Sequence, residues 1–315
     1  MGKLRIIFMG TPDFAVASLS KLVESGYAIV GVITAPDRPA GRGRKLQESA
    51  VKKYAIQQNI KILQPTNLKS PSFLNELMSL NANLQVVVAF RMLPNAVWNM
   101  PQYGTFNLHA SLLPQYRGAA PINWAIINGE TETGVTTFFL DEKIDTGEII
   151  LQERVAIEET DTAGTLHDKL MLLGADLVLR TIQQIEDGSI KRNKQSNSQN
   201  LKKAPKIHKE TCRINWNSPI QEINDHIRGL SPYPAAWTML INDTETILVK
   251  IYAVAMERKD HSHKNGQILF DKKEIRVAVS GGFIQLLEMQ LSGKRKMRSQ
   301  EILNGLKLSK SAHMA

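Results

Sequence analysis

The chain has 315 residues, of which 39 are Lys or Arg and 30 are Asp or Glu, and its formal net charge at pH 7 is +9. This length allows two domains that each bury a hydrophobic core. The only cysteine, Cys212, cannot form an internal disulfide, and we interpret it as structural. The first residues lead into a strand without the apolar region of a signal peptide. No apolar run approaches the roughly 18 residues that span a bilayer, so we expect a cytoplasmic protein.

Strand-like and helical segments alternate through the first 188 residues. The predicted strands are residues 4–9, 29–34, 84–90, 106–109 and 135–140, and the predicted helices are 14–24, 49–58, 72–80 and 122–127, with a long helix from 163 to about 186. This alternation predicts an α/β fold with a doubly wound, mostly parallel sheet covered by helices. Such a sheet binds ligands beyond the carboxyl ends of its strands.

The turn after the first predicted strand, residues 10–13, reads Gly-Thr-Pro-Asp. It lacks the second and third glycines of a dinucleotide-binding fingerprint, and no Walker sequence occurs in the chain. We therefore expect no nicotinamide, flavin or ATP, and we interpret this turn as part of the floor near the substrates.

Residues 38–45 form the second unusual connection. Two glycines and a proline argue against helix or strand, while four cations lie within eight positions: Arg38, Arg42, Arg44 and Lys45. We predict a mobile loop near the active edge that contacts a phosphate backbone, with Arg42 and Arg44 able to make forked hydrogen bonds. A solvated surface loop is the alternative.

Residues 105–121 and 141–147 carry the polar groups best suited to chemistry. Asn107 and His109 alternate with apolar residues, so a strand projects both to one side, roughly 7 Å apart. Asp145 follows the next apolar strand, and two strand ends can converge at one edge of a sheet. An amide, an imidazole and a carboxylate without a poised nucleophile favour acyl transfer between two bound substrates.

Two other kinds of site have less support. A serine hydrolase would use Ser111 with His109 and Asp145, but no Gly-x-Ser-x-Gly elbow exposes that serine. A zinc site needs three or four ligands, more than this histidine and aspartate supply. His261 and His263 resemble chelators, but they lie in a polar stretch that is more typical of a solvated loop. We expect no metal.

Positive charge is concentrated beyond residue 188. Residues 1–188 hold 17 Lys and Arg against 19 Asp and Glu, a net of −2, which leaves 22 against 11, a net of +11, for residues 189–315. Clustered positive charge is typical of proteins that bind a polyanion, although a generally basic surface is the alternative. Residues 189–208 are basic and poor in apolar residues, which predicts a linker, either a disordered spacer or one that follows a phosphate backbone.

The last third of the chain predicts a separate β-rich domain. After a helix at 220–229, five strand candidates follow at 237–241, 247–256, 267–270, 275–279 and 283–291. Five strands of this size fit a small antiparallel barrel. The predicted division is therefore a catalytic domain at 1–188, a basic linker at 189–208 and a C-terminal domain at 209–315.

The motif Asn-x-His-x-Ser-Leu-Leu-Pro at 107–114, with Asp-Thr-Gly at 145–147, resembles the folate-dependent formyltransferases. These enzymes move a formyl group from 10-formyltetrahydrofolate to an amine. Residues 7–15, 35–45, 106–121 and 133–148 resemble most closely the branch that acts on methionyl-tRNA. The resemblance covers essentially the whole chain and implies a Rossmann-like formyltransferase domain followed by an OB-type barrel that contacts tRNA.

The hypothesis for the chemistry assigns catalytic roles to Asn107, His109 and Asp145. The first two would donate to the oxyanion that forms when an amine attacks the formyl carbon. Asp145 would hold His109 in its donating form and help move a proton towards folate N10.

Binding residues are implied for both substrates. For the folate they are Ser111, Leu112, Leu113 and Pro114, together with Arg91, Met92 and Leu93 as the lining of the pteridine pocket, although many relatives have glycine where this chain has Arg91. For tRNA they are Arg38, Arg42, Arg44 and Lys45, together with Lys202, Lys203 and Lys206.

The expected substrates are 10-formyltetrahydrofolate and initiator methionyl-tRNA, with no metal or nucleotide cofactor. We expect a monomer that binds neither DNA nor a membrane. Three alternatives stay open: a formyltransferase for a small amine such as an amino sugar or purine precursor, a formyltetrahydrofolate hydrolase, and an RNA-binding protein that retains an inactive formyltransferase domain.

Overall fold

The computed structural model describes residues 3–40, 45–196 and 200–315. Up to the sixth helix, the elements are β1 Arg5–Gly10, α1 Asp13–Glu24, β2 Ala28–Ile33, β3 Arg38–Ala40, β4 Lys45–Gln47, α2 Ala50–Gln57, β5 Ile62–Leu63, α3 Pro71–Ser79, β6 Leu84–Val88, α4 Asn95–Trp98, β7 Thr105–His109, β8 Arg117–Gly118, α5 Pro121–Ile127, β9 Glu132–Phe139, β10 Ile149–Ala156 and α6 Ala163–Asp187. The remaining elements are β11 Lys203–Ala204, a 3-10 turn at Glu210–Cys212, α7 Ile220–Leu230, β12 Ala236–Asn242, β13 Glu245–Arg258, β14 Ile268–Phe270, β15 Ile275–Val279, β16 Gly282–Leu291, β17 Met297–Arg298, α8 Ser299–Gly305 and β18 His313–Met314. Each helix and strand predicted from the sequence is present, with ends that differ by a few residues.

The chain folds into two compact units whose segments interleave. The first unit comprises residues 1–118, 133–155 and 167–203. The second comprises residues 119–132, 156–166 and 204–315. The division predicted from sequence, 1–188, 189–208 and 209–315, follows the charge change along the chain instead, and it stays a prediction.

The first unit is built around a seven-stranded sheet with the order β10-β9-β7-β6-β1-β2-β5. Adjacent strands are parallel through the run β7-β6-β1-β2-β5, whereas β9 runs antiparallel to β7. The α/β class and the mostly parallel sheet are therefore confirmed. The parallel strands end at one edge, where Gly10 pairs with Val88 and Val88 pairs with Leu108.

Apolar burial and helix capping account for the regularity of this unit. Strands β1 and β6 are buried almost throughout, as expected for parallel strands covered on both faces. Ser49 and Ser70 cap α2 and α3 by accepting the N–H groups of Lys52 and Phe73. At the end of β1 only glycine fits, because a Cβ on Gly10 would lie 2.6 Å from the Cβ of Ala15.

The prediction that residues 38–45 contain no strand is wrong at both ends of that segment. Strands β3 and β4 pair antiparallel, with Arg38 opposite Gln47 and Ala40 opposite Lys45. The two glycines that argued against a strand belong to residues 41–44, which lie outside the described residues, and the ladder is made by the residues that flank them.

The second unit contains an antiparallel sheet that closes on itself. Its order is β14-β15-β16-β13-β12-β18, and β17 pairs with β16. The two ends of this order meet, because the Met314 N–H donates to the Gly266 carbonyl at 2.8 Å and the Ile268 N–H donates to the Ala312 carbonyl at 3.1 Å. The predicted small antiparallel barrel is confirmed, and the sequence did not reveal β17 and β18.

Helix α7 fills one side of the second unit. Its buried residues include Ile220, Ile223, Ile227 and Leu230, which is the spacing of one helical face. Helix α5 packs closely against it: the Asn123 side chain donates to the Gly229 carbonyl at 2.8 Å. The fold therefore joins α5, which lies early in the chain, to the barrel unit.

Candidate active site

Strand β7 carries the first two candidate residues at its carboxyl end. Asn107 pairs with Val87 on one side and Phe138 on the other, so the strand lies between β6 and β9. Asn107 is half-buried, whereas His109 is only 6% exposed. Both residues therefore lie at the edge of the sheet where ligands bind in this class of fold.

The imidazole of His109 lies between a carbonyl and a carboxylate. Its Nε2 is 2.9 Å from the carbonyl oxygen of Tyr116, and its Nδ1 is 3.9 Å from Oδ2 of Asp145. The first distance is that of a hydrogen bond. The second is longer than a hydrogen bond, although it is within ion-pair range.

The Tyr116 carbonyl determines which nitrogen of His109 carries a proton. A carbonyl oxygen only accepts, so Nε2 must donate. In the neutral ring, Nδ1 then keeps its lone pair and faces Asp145. Tyr116 itself has a positive φ of 59°, which is uncommon for a bulky residue. Sequence patterns did not reveal this partner, because it acts through its backbone.

Asp145 is held on a tight loop between β9 and β10. Its φ is 55°, in the left-handed region, and its Oδ2 accepts the N–H of Gly118 at 2.9 Å. Gly147 must be glycine, because a Cβ there would lie 1.7 Å from the carbonyl oxygen of Phe139. In the Asp-Thr-Gly motif, the aspartate supplies the carboxylate. The glycine lets the backbone pass close to Phe139, which holds the loop in place.

The candidate folate residues 111–114 are tied into the first unit by their own polar groups. The Ser111 hydroxyl donates to the Gln115 carbonyl at 2.7 Å, and the Leu113 N–H donates to Oγ1 of Thr136 at 3.1 Å. Leu112 and Pro114 are half-buried. Any contact of this segment with a ligand therefore falls mainly to apolar atoms.

Arg91, Met92 and Leu93 line a cavity of about 450 Å³, which the structure forms with Thr66, Asn67, Leu68, Lys69 and Pro94. This is the size of a small-molecule site. Arg91 donates to the carbonyls of Thr66, at 3.1 Å, and Pro65. The arginine therefore fixes the loop after β6 to residues 65–66. The residues at 111–114 are not among those that line this cavity.

The candidate tRNA residues are only partly described. Arg38 is exposed on β3, and Lys202, Lys203 and Lys206 are exposed. Arg42 and Arg44 lie outside the described residues, as does the side chain of Lys45. Their proposed contacts with tRNA stay predictions.

The segment predicted as a linker makes defined contacts where it is described. Asn193 pairs with Ile149 through two backbone hydrogen bonds of 2.8 and 2.9 Å. The Gln195 side chain donates to the carbonyls of Asp145 and Gly147 at 3.0 and 2.8 Å. Gln195 thus contacts the candidate site, which the basic, polar composition of this segment did not reveal.

The remaining candidate residues have structural surroundings. Burial raises the pKa of the Cys212 thiol, whose Sγ lies 3.3 Å from the His208 carbonyl, as expected for a structural cysteine. His261 directs Nε2 at the carbonyls of Val279 and Gly282 and packs on Phe283, so it does not simply lie in solvent. Within the described ranges, no group of three or more His, Cys, Asp or Glu is arranged to hold a metal ion. None of the helices described there is long and apolar enough to cross a membrane.

Family models match both parts of the chain. The formyl transferase model matches residues 4–182, and the model of the formyl transferase C-terminal domain matches residues 206–307. The chain belongs to the formyl transferase family, which confirms the resemblance seen in its motifs. It is 57% identical over 312 residues to a protein of Flavobacterium johnsoniae named methionyl-tRNA formyltransferase, with 99% of each chain covered. Proteins of the same name from Bacteroides thetaiotaomicron and Phocaeicola vulgatus are 55% and 58% identical, with 97% of each chain covered.

Solved structures agree on the fold. A sugar 3N-formyl transferase crystallised in the presence of dTDP and 5-N-formyl-THF is 24% identical with a TM-score of 0.65, covering 94% of this chain and 100% of that one. An N-formyltransferase from Helicobacter canadensis is 22% identical with a TM-score of 0.66, covering 93% and 100%. At these identities the likeness concerns the fold alone.

Proposed function

We propose that this chain transfers the formyl group of 10-formyltetrahydrofolate to the α-amino group of methionyl-tRNA, giving N-formylmethionyl-tRNA for translation initiation. The observation that carries this proposal is the full-length similarity, at 54–58% identity, to relatives that are named methionyl-tRNA formyltransferase. The polar groups at the ends of β7 and β9 suit the reaction, since the substrate brings its own nucleophile.

The reaction requires charge stabilisation at the formyl oxygen. The neutral amine attacks the formyl carbon, and the carbonyl electrons move to oxygen as a tetrahedral intermediate forms. Asn107, half-buried at the end of β7, supplies an amide donor for this oxyanion. One such donor typically contributes about 10²–10³ in rate.

The reaction also requires one proton to move. When the intermediate collapses, the bond between the formyl carbon and N10 breaks, and N10 takes up the proton that the amine loses. His109 donates its Nε2–H to the Tyr116 carbonyl, so the neutral ring has no second N–H for the oxyanion, the role expected from sequence. In this proposal its Nδ1 instead exchanges protons with the reacting groups. The Asp145 carboxylate, 3.9 Å from Nδ1, stabilises positive charge that develops on the ring. Proton transfer of this kind contributes roughly 10²–10⁴ in rate.

The acceptor is assigned to tRNA rather than to a small amine. The 22 Lys and Arg against 11 Asp and Glu beyond residue 188 suit a polyanion, and Arg38, Lys202, Lys203 and Lys206 are exposed. In this proposal they join Arg42, Arg44 and Lys45 in binding initiator methionyl-tRNA. The enzyme acts as a cytoplasmic monomer and binds neither DNA nor a membrane.

The folate is assigned to the carboxyl edge of the same sheet. We place its apolar contacts on Leu112, Leu113 and Pro114, beside the buried Ser111. Arg91, Met92 and Leu93 line the cavity of about 450 Å³ that we assign to the pteridine.

The decisive experiment incubates the protein with methionyl-tRNA and 10-formyltetrahydrofolate and measures N-formylmethionyl-tRNA. Parallel reactions contain a small amino sugar instead of tRNA, or no acceptor. Formylation of tRNA alone supports the proposal. Preferred formylation of the sugar, or formate release that needs no acceptor, would replace it by a small-amine transferase or a hydrolase.

Asn107→Ala tests the assigned oxyanion donor. Turnover should fall about 10²–10³-fold, whereas the dissociation constants for tRNA and folate should stay near those of the unaltered protein, since the amide acts mainly on the transition state. Single-turnover kinetics and equilibrium binding separate the two effects. Near-normal turnover of this variant would remove Asn107 from the mechanism.

A further inference from the structure

Residues 190–196 touch the Asp145 loop at its stems and at its tip. The loop leaves β9 at Phe139 and enters β10 at Ile149. The guanidinium of Arg192 lies 4.2 Å from the centroid of the Phe139 ring, and Asn193 pairs with Ile149 through two backbone hydrogen bonds. These contacts fix the segment against both ends of the loop.

Gln195 makes the contacts with the tip of the loop. Its Nε2 donates to the carbonyl oxygens of Asp145, at 3.0 Å, and Gly147, at 2.8 Å. Its Oε1 accepts from Nε of Arg117 at 3.1 Å and from Nη2 at 2.6 Å. A side-chain amide has two donor and two acceptor positions, so every hydrogen-bonding position of Gln195 is occupied.

The chemistry of these contacts specifies an amide at position 195. The opposite amide orientation would set the oxygen against two carbonyls and the nitrogen against a guanidinium, which excludes it. A glutamate has no donor for the carbonyls, and an alanine has neither donor nor acceptor. These hydrogen bonds therefore require the amide group of glutamine, and another side chain of similar volume would not form them all.

Gln195 also links the Asp145 loop to the loop that carries the His109 partner. Arg117 lies between Tyr116, whose carbonyl accepts from His109, and Gly118, whose N–H donates to Oδ2 of Asp145 at 2.9 Å. The Gln195 side chain therefore connects two loops. One carries the Tyr116 carbonyl that faces Nε2 of His109, and the other carries the Asp145 carboxylate that faces Nδ1.

We propose that Gln195 is a positioning residue for formyl transfer: it holds the Asp145 loop and the Tyr116–Gly118 loop in register, so that the Asp145 carboxylate faces His109. The inference rests on the proposed function, because it assigns Gln195 a role in that reaction. It also gives residues 190–196 a role in the candidate active site of the first unit rather than that of a spacer.

The test compares Gln195→Ala with Gln195→Glu. Both remove the donors to the Asp145 and Gly147 carbonyls, whereas only glutamate keeps an acceptor for Arg117. Turnover should fall about 10–100-fold in both, since misplacing a reacting group by about 1 Å can cost on the order of 10²-fold. The KM values for folate and tRNA should change little. Normal turnover in Gln195→Glu would overturn the proposal.

A double-mutant cycle distinguishes positioning from a general structural role. In an Asp145→Asn background there is no carboxylate to position, so adding Gln195→Ala should lower the residual rate by less than about twofold. Independent effects would multiply, because contributions of uncoupled sites add in free energy. A full 10–100-fold further loss would overturn the proposal.

Hydrogen exchange gives a readout that does not require activity. Amides in residues 141–148 and the Gly118 N–H should exchange faster in Gln195→Ala than in the unaltered protein. The matched control is Gln183→Ala, the same substitution at an exposed glutamine on α6, which should change neither exchange nor turnover. Unchanged exchange in Gln195→Ala would overturn the inference, whereas failure of the unaltered enzyme to formylate methionyl-tRNA would overturn only the proposed function.

Discussion

Asp145 has a left-handed backbone, with φ 55°, and this decides which substitution tests its carboxylate. Asn tolerates that conformation, whereas Ala adds a penalty of roughly 1–2 kcal/mol. Asp145→Asn should therefore keep the loop and the fold while lowering turnover about 10²–10⁴-fold, because in the proposed mechanism the ring of His109 loses the charge that stabilises it during proton transfer. Single-turnover rates and thermal denaturation measure the two effects.

Asp141→Asn is the control for that substitution. Asp141 is exposed in the same loop and accepts from the Thr146 hydroxyl at 2.8 Å, which an asparagine oxygen can also do. Turnover of the Asp141→Asn variant should stay near that of the unaltered protein. Equal losses in the two variants would show that the loop, and not the Asp145 carboxylate, sets the rate.

Sequence patterns identified the polar side chains of the candidate site but not the groups that orient them. Asn107 and His109 follow from strand alternation, and Asp145 follows from an apolar run. Tyr116 contributes a backbone carbonyl, which no side-chain pattern reports. Gln195 lies 50 residues from Asp145 in a basic, polar segment, and only the folded chain brings the two together.

At the scale of elements, Gly229 sets how closely α5 and α7 approach. A Cβ at this position would lie 2.7 Å from Cγ1 and 3.0 Å from the backbone N of Ile127, and 3.2 Å from the carbonyl oxygen of Asn123. Gly229→Ala should destabilise the protein by roughly 1–3 kcal/mol through overpacking, even though alanine favours a helix. Urea unfolding measures the change in the free energy of unfolding.

Gly305→Ala is the matched control, since nothing lies within 4 Å of a Cβ at that helical position. It should leave stability unchanged or raise it slightly, by less than about 1 kcal/mol. A Gly229→Ala protein as stable as this control would mean that α5 can move away from α7 without cost.

Helix α7 also contains a histidine whose surroundings oppose its charge. Burial lowers the pKa of His226, and a hydrogen bond with the Cys212 backbone partly offsets that effect. The unfolded histidine therefore binds its proton at a higher pH than the folded one, so stability should fall as pH drops through about 6.5 towards the folded value. Urea midpoints should be lower at pH 5 than at pH 7.5.

His226→Gln isolates this contribution, because glutamine is polar but does not titrate. The difference between the two urea midpoints should become smaller in the variant, while carboxylates elsewhere contribute equally to both proteins. An unchanged difference would show that His226 does not set the pH dependence of stability.

The accuracy of sequence-based prediction also varied between elements. The buried strands β1 and β6 are continuous apolar runs, so their pattern was sufficient. The edge strand β10 alternates partly buried and exposed residues and includes Glu153 and Arg154, which is normal for an edge but weak as a sequence signal. Strand β18 has two residues and depends on its pairing with β12, which the local sequence does not contain.

At the scale of the whole molecule, charge separates the two halves of the chain. The net charge is −2 for residues 1–188 and +11 for residues 189–315. Within the acidic half, residues 38–45 are a basic exception, and we propose that Arg42 and Arg44 contact the tRNA backbone there. Ion release makes such contacts visible as a salt dependence of binding.

Arg42→Gln combined with Arg44→Gln should weaken binding of methionyl-tRNA and reduce its dependence on salt. Each lost phosphate contact reduces the magnitude of the slope of log K against log salt by about one. The slope of the double variant should therefore be shallower by up to about two. Formyl transfer at saturating tRNA should change less than binding, because these side chains are assigned no role in the chemical step.

The double variant Arg154→Gln with Arg180→Gln is the control, because it makes the same change in net charge elsewhere in the first unit, on β10 and α6. If that control lowers the slope equally, the effect belongs to net charge and residues 42 and 44 make no specific contact; if only the first double variant does so, the contact is local.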